Sequence, residues 1–243
     1  PLVPDDRIGA IGPWIFQTIV PQEVEVTAIA RASVNDLLIK KFAVLSPNSG
    51  DRMDLGDFFT AEVRRLGGEV VAVEHYESGS TNFKDQLDLI REAAPEALFI
   101  PGTSEDLILI LPQINFYDMH ARLLGMSNWN SEKLIRLARQ EIEGALFPLN
   151  VYHGEEKGAY DRLATVYQER FGGELSSVTV AAYFGAKLLL RGISEGAVDR
   201  TLMRDFLRQA LHKDARQRLA EAEALSIMTV RSGKIERYLP LSR

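Results

Sequence analysis

The 243-residue sequence contains no cysteine, which excludes disulfides, thiolate metal sites and thiol nucleophiles together. Cysteine-free composition suits many exported bacterial proteins. Histidine is also scarce. His75, His120, His153 and His212 have no spacing that would set two on one helix face, so the pattern carries no metal site. Basic residues are not in excess: 28 Lys and Arg stand against 34 Asp and Glu, a net charge of -6, where a nucleic-acid binder needs a concentrated basic surface. No apolar run approaches the ~18 residues of a membrane span; the densest, Leu107 to Leu111, is stopped by Pro112. There is neither a phosphate-cradling glycine loop with its lysine nor a Gly-Xaa-Ser-Xaa-Gly nucleophile turn. Catalysis has no visible carrier and no cofactor is implied. The first residue is Pro1 rather than methionine and no signal peptide is present, as in a mature or trimmed product.

What is present is a repeated strand-helix pattern. Phe42-Ala43-Val44-Leu45 is an apolar run of strand length ended by the turn formers Ser46 to Gly50. Leu55, Phe58, Phe59, Val63 and Leu66 then recur at helical spacing, and Gly67-Gly68 stops that helix. Val70 to Val73 repeats the strand, Phe83, Leu87 and Ile90 form the stripe of a second helix, and Ala97 to Ile100 is a third strand. Ser104 reads as an N-cap with Glu105 and Asp106 in its first turn, and Pro112 should kink or divide the helix that follows. Leu123-Leu124 and residues 145–149 complete five strands. Residues 22–38 form a helix ahead of them. Strands apolar on both faces and joined by amphipathic helices predict a parallel sheet covered on both sides, in the order 2-1-3-4-5.

After residue 155 the alternation stops. Helices at residues 159–171, 177–193 and 201–211 follow one another without strands, so they cannot extend the same parallel sheet. Their stripes, Leu163, Val166 and Tyr167 on one helix and Val180, Phe184 and Leu188 on the next, call for another copy of the chain or an absent segment to cover them. Residues 212–223 read as a solvated charge run, and residues 227–230 and 236–239 flank Ser232-Gly233-Lys234 as a terminal hairpin.

The order of these elements, with Gly12-Pro13-Trp14-Ile15-Phe16-Gln17-Thr18, Leu66-Gly67-Gly68-Glu69-Val70-Val71, the stretch Tyr76 to Phe83 and Ala182 to Leu189, resembles the type I periplasmic binding proteins, in particular the leucine/isoleucine/valine-binding receptors. Phe99-Ile100-Pro101-Gly102 with Pro112-Gln113-Ile114 resembles the lipoprotein-like members and activators of penicillin-binding proteins within that superfamily. The resemblance implies two doubly wound lobes and a chain that lacks most of the first. Residues 1–21 would then be a crossover, 22–152 a complete flavodoxin-like lobe, 153–223 helices of the incomplete lobe and 224–243 a hairpin or crossover belonging with them.

The resemblance also implies an extracytoplasmic receptor, not an enzyme, that closes on a small polar ligand. Its partner would be an ABC-transporter permease or, in the activator branch, a cell-wall synthase. The loops after the strands supply the candidate ligand contacts Ser46, Asn48, Asp51, Thr103, Ser104, Ser127, Trp129 and Tyr152, with Trp129 as a stacking surface. Asp51 stands where the family's amino-acid receptors carry an aromatic residue, and Ser127 where they carry the glutamate that holds the ligand ammonium. Both departures weigh against free leucine, isoleucine or valine as ligand. Ser104 and Asp51 also read as helix-start residues and Trp129 as a packing residue; Glu155-Glu156 reads as a solvated pair.

Overall fold

The computed structural model describes residues 11–16, 20–48, 50–149, 159–172, 177–211, 222–223 and 225–238. The described residues fall into two compact units, those within 23–149 and 222–238, and those within 11–22 and 159–211. In the larger unit, α1 (Gln22–Arg31) passes into a π-helical turn (Ala32–Asp36) and leads to β1 (Lys41–Pro47). There follow α2 (Asp51–Arg65), β2 (Glu69–Tyr76), α3 (Lys84–Glu92), β3 (Ala97–Phe99), α4 (Ser104–Phe116), β4 (Arg122–Leu124), α5 (Glu132–Ala138) and β5 (Leu146–Pro148). The sheet runs β2-β1-β3-β4-β5, every pair parallel, as the apolar runs predict.

Alternation along each strand divides the core in two. Ala43, Leu45 and Leu98 face α3, α4 and α5, while Phe42, Val44 and Phe99 face α1 and α2. The helix stripes enter as their spacing requires: Leu87 and Ile90 of α3 and Phe59 and Val63 of α2 are fully buried, although Phe58 stays at the surface. Pro112 neither divides nor ends α4, which is one helix with Ile110, Leu111 and Ile114 buried around it. Burial of those side chains outweighs the single backbone bond that a proline removes.

The terminal hairpin, β6 (Ile227–Arg231) and β7 (Lys234–Arg237), is present but does not belong with the helices of the incomplete lobe. It extends this sheet, β6 pairing antiparallel with β5 and β7 with β6. Sequence periodicity shows that a hairpin exists, not which edge it joins. Ser232 and Gly233 both have positive φ, the two-residue turn whose twist suits a hairpin, and the Glu143 carboxylate accepts from Ser232 N at 2.7 Å.

In the smaller unit α6 (Ala159–Phe171), α7 (Ser177–Ser194) and α8 (Arg200–Leu211) are described. A methyl group added at Gly192 of α7 would lie 2.8 Å from Phe206 and 2.9 Å from Met203 of α8. Val180, Phe184 and Leu188, expected to need an outside partner, are buried within the chain; the exposed apolar side chains include Val166, Phe171, Tyr183, Leu190 and Ile193. Exposed apolar side chains on adjacent helices suit contact with another copy of the chain, so light scattering on this chain should report self-association.

Beside α8, the Gly12-Pro13-Trp14 turn sets the Trp14 ring under two guanidinium groups, Arg200 at 4.4 Å and Arg204 at 4.9 Å. Cation-π contacts of this exposure contribute roughly 0.5–1 kcal/mol each. Trp14→Ala should therefore lower the unfolding free energy by about 1–2 kcal/mol in a denaturant titration, and Trp14→Phe by less.

Candidate functional site

In an open parallel sheet a ligand sits beyond the carboxyl ends of the strands, where the strand order reverses; here that is between β1 and β3. The loops at this end are held by polar side chains bonded to one another. Thr103, not Ser104, is the N-cap of α4: its Oγ1 accepts from Asp106 N at 3.2 Å, and Asp106 Oδ2 accepts from Thr103 N at 3.0 Å. The same carboxylate oxygen accepts from Thr103 Oγ1 at 2.9 Å and from the Tyr76 hydroxyl at 3.1 Å. Burial pushes the Tyr76 phenol well up from its ordinary value, and the charge of Asp106 adds to the shift, so Tyr76 stays protonated and donates. Arg52 Nη1 donates to Pro101 O at 2.7 Å, and Asn128 Nδ2 to Gly102 O at 2.9 Å, tying the β3 loop to its neighbours on either side. Loss of the Thr103 cap in Thr103→Ala should cost about 1 kcal/mol, measured by urea unfolding.

The eight expected contacts divide under this geometry. Ser46 is fully buried on β1, its hydroxyl sharing a hydrogen bond with His75 Nδ1 at 3.0 Å. Asn48 is exposed at the end of that strand, its backbone N donating to Tyr76 O. Asp51 is the first residue of α2, whose N-cap is Gly50 in a left-handed conformation. Thr103 and Ser104 begin α4. Ser127 opens a short 3-10 turn (Ser127–Trp129) and is bound by Glu25 of α1, whose carboxylate accepts from Ser127 N at 2.9 Å and Ser127 Oγ at 3.0 Å. Tyr152 lies outside the described residues, as do His153, Glu155 and Glu156.

Trp129 requires a correction. It is 0% exposed and belongs to the same buried core cluster as Leu134, Ile135, Ala138 and Phe147, so its ring offers no face for stacking. Gly125, four residues earlier, leaves the space that the indole fills: a Cβ there would overlap ring atoms of Trp129.

A sequence profile described as periplasmic binding protein matches residues 6–221. The chain belongs to the periplasmic binding protein family. No curated protein matches it. Among solved structures it is similar to a leucine-binding protein, LivK, of Thermotoga maritima at 20% identity and a TM-score of 0.74, covering 93% of this chain and 67% of that one. It is similar to the substrate-binding protein LivJ of Streptococcus pneumoniae in complex with isoleucine at 19% identity and a TM-score of 0.71, covering 96% and 68%. A solute-binding protein of R. palustris in complex with benzoate is similar at 13% identity and a TM-score of 0.68, covering 93% and 65%. These likenesses carry the type I fold.

For a periplasmic binding protein, Glu25, Tyr76 and Asp106 are the site-end residues that sequence reasoning missed, while Arg52 and Asn128 lie in the loops after the strands without having been singled out. Glu25 sits between Val24 and Val26 in what read as a helix stripe, and Tyr76 lies beyond the apolar run Val70 to Val73 that read as the strand. The one sequence signal for such close approach was glycine just after β3 and β4: a Cβ on Gly102 would lie 2.7 Å from the Tyr76 hydroxyl. Among the described residues, no cluster of three or more His, Asp or Glu side chains could hold a metal ion, and no helix is long and apolar enough to cross a membrane.

Proposed function

We propose that this periplasmic binding protein is an extracytoplasmic receptor of the ABC-transporter type, which closes two lobes on a small polar ligand and performs no chemistry. The observation that carries this reading is the set of bonded polar side chains at the carboxyl ends of β1 to β4, where Arg52, Thr103, Ser127 and Asn128 are fixed by internal partners. Preorganised polar groups at such a crevice give binding specificity. The partners are the ligand and a membrane permease. The proposed boundaries remain one complete lobe over residues 22–152, helices of the other lobe over 153–223, and crossover segments at 1–21 and 224–243, the last also forming the hairpin of this sheet.

Free leucine, isoleucine and valine are not its ligands. Their ammonium group would need a carboxylate, since a buried unpaired charge costs several kcal/mol. The acid nearest the β4 loop, Glu25, is 1% exposed and already accepts two donors from Ser127. Calorimetry on the full-length natural protein should show no sub-micromolar binding of leucine, isoleucine or valine; such binding by any of them would overturn this specificity.

The receptor reading itself is tested by thermal shift against a panel of amino acids, aliphatic and aromatic carboxylates, and sugars. A true ligand at about 100 times its Kd stabilises by ~2.7 kcal/mol, a rise of several degrees. A panel without response would favour the second reading, an activator protein of the cell envelope that keeps the fold without a ligand. The burial of Trp129, which leaves the β4 loop without an aromatic platform, is the observation on that side.

A further inference from the structure

Glu25 is a carboxylate placed where helices rarely put one. Its neighbours Val24, Val26, Ala28, Ile29 and Ala30 are all buried, and it turns inward with them to 1% exposure. A carboxylate persists in such surroundings when hydrogen bonds replace its hydration. Here the donors come from a residue 102 positions away, the backbone N–H and the hydroxyl of Ser127, at 2.9 and 3.0 Å on separate carboxylate oxygens. Ser127 is the first residue of the 3-10 turn that also carries Asn128, tied to Gly102 O, and Trp129, seated over Gly125. The Asn128 Oδ1 and Trp129 Nε1 atoms of the same turn are buried without a hydrogen-bond partner among the described residues. An arrangement that leaves two polar atoms unsatisfied has to be held by something else.

We propose that Glu25 is the positioning residue of the loop after β4: its carboxylate holds Ser127, and through Ser127 sets the turn that places Asn128 and seats Trp129. Glu25 stands two residues past the point where the chain enters the larger unit, so the first turn of α1 and the β4 loop are one assembly. The role of that loop in ligand binding rests on the receptor reading above; the positioning itself does not.

The test uses a Trp14→Phe background, in which Trp129 is the one remaining tryptophan, and needs no ligand. Native-state emission of Trp129 reports its seating, hydrogen exchange of the Ser127, Trp129 and Asn130 amides reports the turn, and thermal unfolding is recorded separately. Glu25→Ala removes the acceptor and Glu25→Asp falls one methylene short, and both should shift Trp129 emission to the red and speed exchange of those amides at least tenfold under native conditions. Glu25→Gln should behave as the parent, because its amide oxygen accepts from Ser127 N while its amide nitrogen donates to Ser127 Oγ. A lower melting temperature in Glu25→Ala with emission and loop exchange unchanged would show a purely structural glutamate and overturn the proposal. So would a Glu25→Gln variant as disturbed as Glu25→Ala. If Glu25→Ala fails to fold, Ser127→Ala, which removes only the hydroxyl donor, must give the same red shift and faster exchange in smaller measure, and its absence overturns the proposal equally.

Discussion

Gly125→Ala will lower the stability of the larger unit by about 3–5 kcal/mol. Gly125 does not lie in the left-handed region, so alanine meets no backbone strain and the whole effect is steric. Its Cβ would fall among the Cδ2, Cε2 and Nε1 atoms of Trp129, a ring that is fully buried in the core cluster that includes Leu134, Ile135, Ala138 and Phe147. Interiors packed to crystal density have no slack of that size, so the indole must leave its site. Losing a buried tryptophan from a core costs about 3–5 kcal/mol, against a total of roughly 5–15 kcal/mol for a domain. Urea unfolding should show this loss in the midpoint. The companion measurement is Gly125→Ala with Trp129→Leu, which leaves a partly filled cavity but no overlap. Because the two residues touch, their effects should be strongly non-additive, the double variant being more stable than the sum of the singles predicts. A wild-type midpoint for Gly125→Ala would contradict the packing described here.

Ser127→Glu is expected to unfold the β4 loop rather than create an amine site. Aligned by sequence alone, glutamate at this position should move specificity toward amino acids only if the other lobe supplies donors for the ligand carboxylate. The structure changes that expectation, since the Glu25 carboxylate already lies against Ser127. A second carboxylate would replace a donor by a like charge, and two such charges about 4 Å apart repel by ~4 kcal/mol at the effective dielectric of a protein edge. One of the pair then has its folded pKa raised above the unfolded value near 4.3. A group shifted up is relatively favourable below the unfolded pKa and loses that advantage as pH rises through the folded one. The deficit of Ser127→Glu should therefore be small near pH 4, grow with rising pH and be largest at neutrality, read from urea midpoints across that range. Glu25→Gln in the same chain should remove most of the dependence. A Ser127→Glu variant as stable as the parent at pH 7 would show that the two side chains do not share the loop.

Local chemistry was legible where local chemistry decides. The runs at Phe42 and Ala97 are apolar on both faces and became central parallel strands, and Leu87 and Ile90 entered the core at the spacing that marked them. Ser131 caps α5, its Oγ accepting from Leu134 N at 3.3 Å. The cap of α4 moved by one residue because Asp106 can reach Thr103 in a reciprocal pair, which a single good N-cap residue does not reveal. The site end was less legible because its bonds join distant residues: Glu25 to Ser127, Tyr76 to Asp106, Asn128 to Gly102. Each partner alone has an ordinary local reading as helix residue, strand end or turn former. Trp129 was weighed as ligand platform or packing residue, and its complete burial, with the indole in the space that Gly125 leaves, decides for packing.

The seating of β6 against β5 bears on how the chain is made. Leu146 pairs with Thr229 and Pro148 with Ile227, so the last parallel strand waits for a partner synthesised some eighty residues later, after α6, α7 and α8. At about 5–20 residues per second that interval lasts several seconds on a ribosome. Throughout it the outer edge of β5 carries unpaired backbone groups, a template for another chain. A polypeptide halted anywhere between β5 and β6 would hold a nearly finished sheet with an adhesive border, and the closing hairpin therefore acts as a seal applied at the end of synthesis.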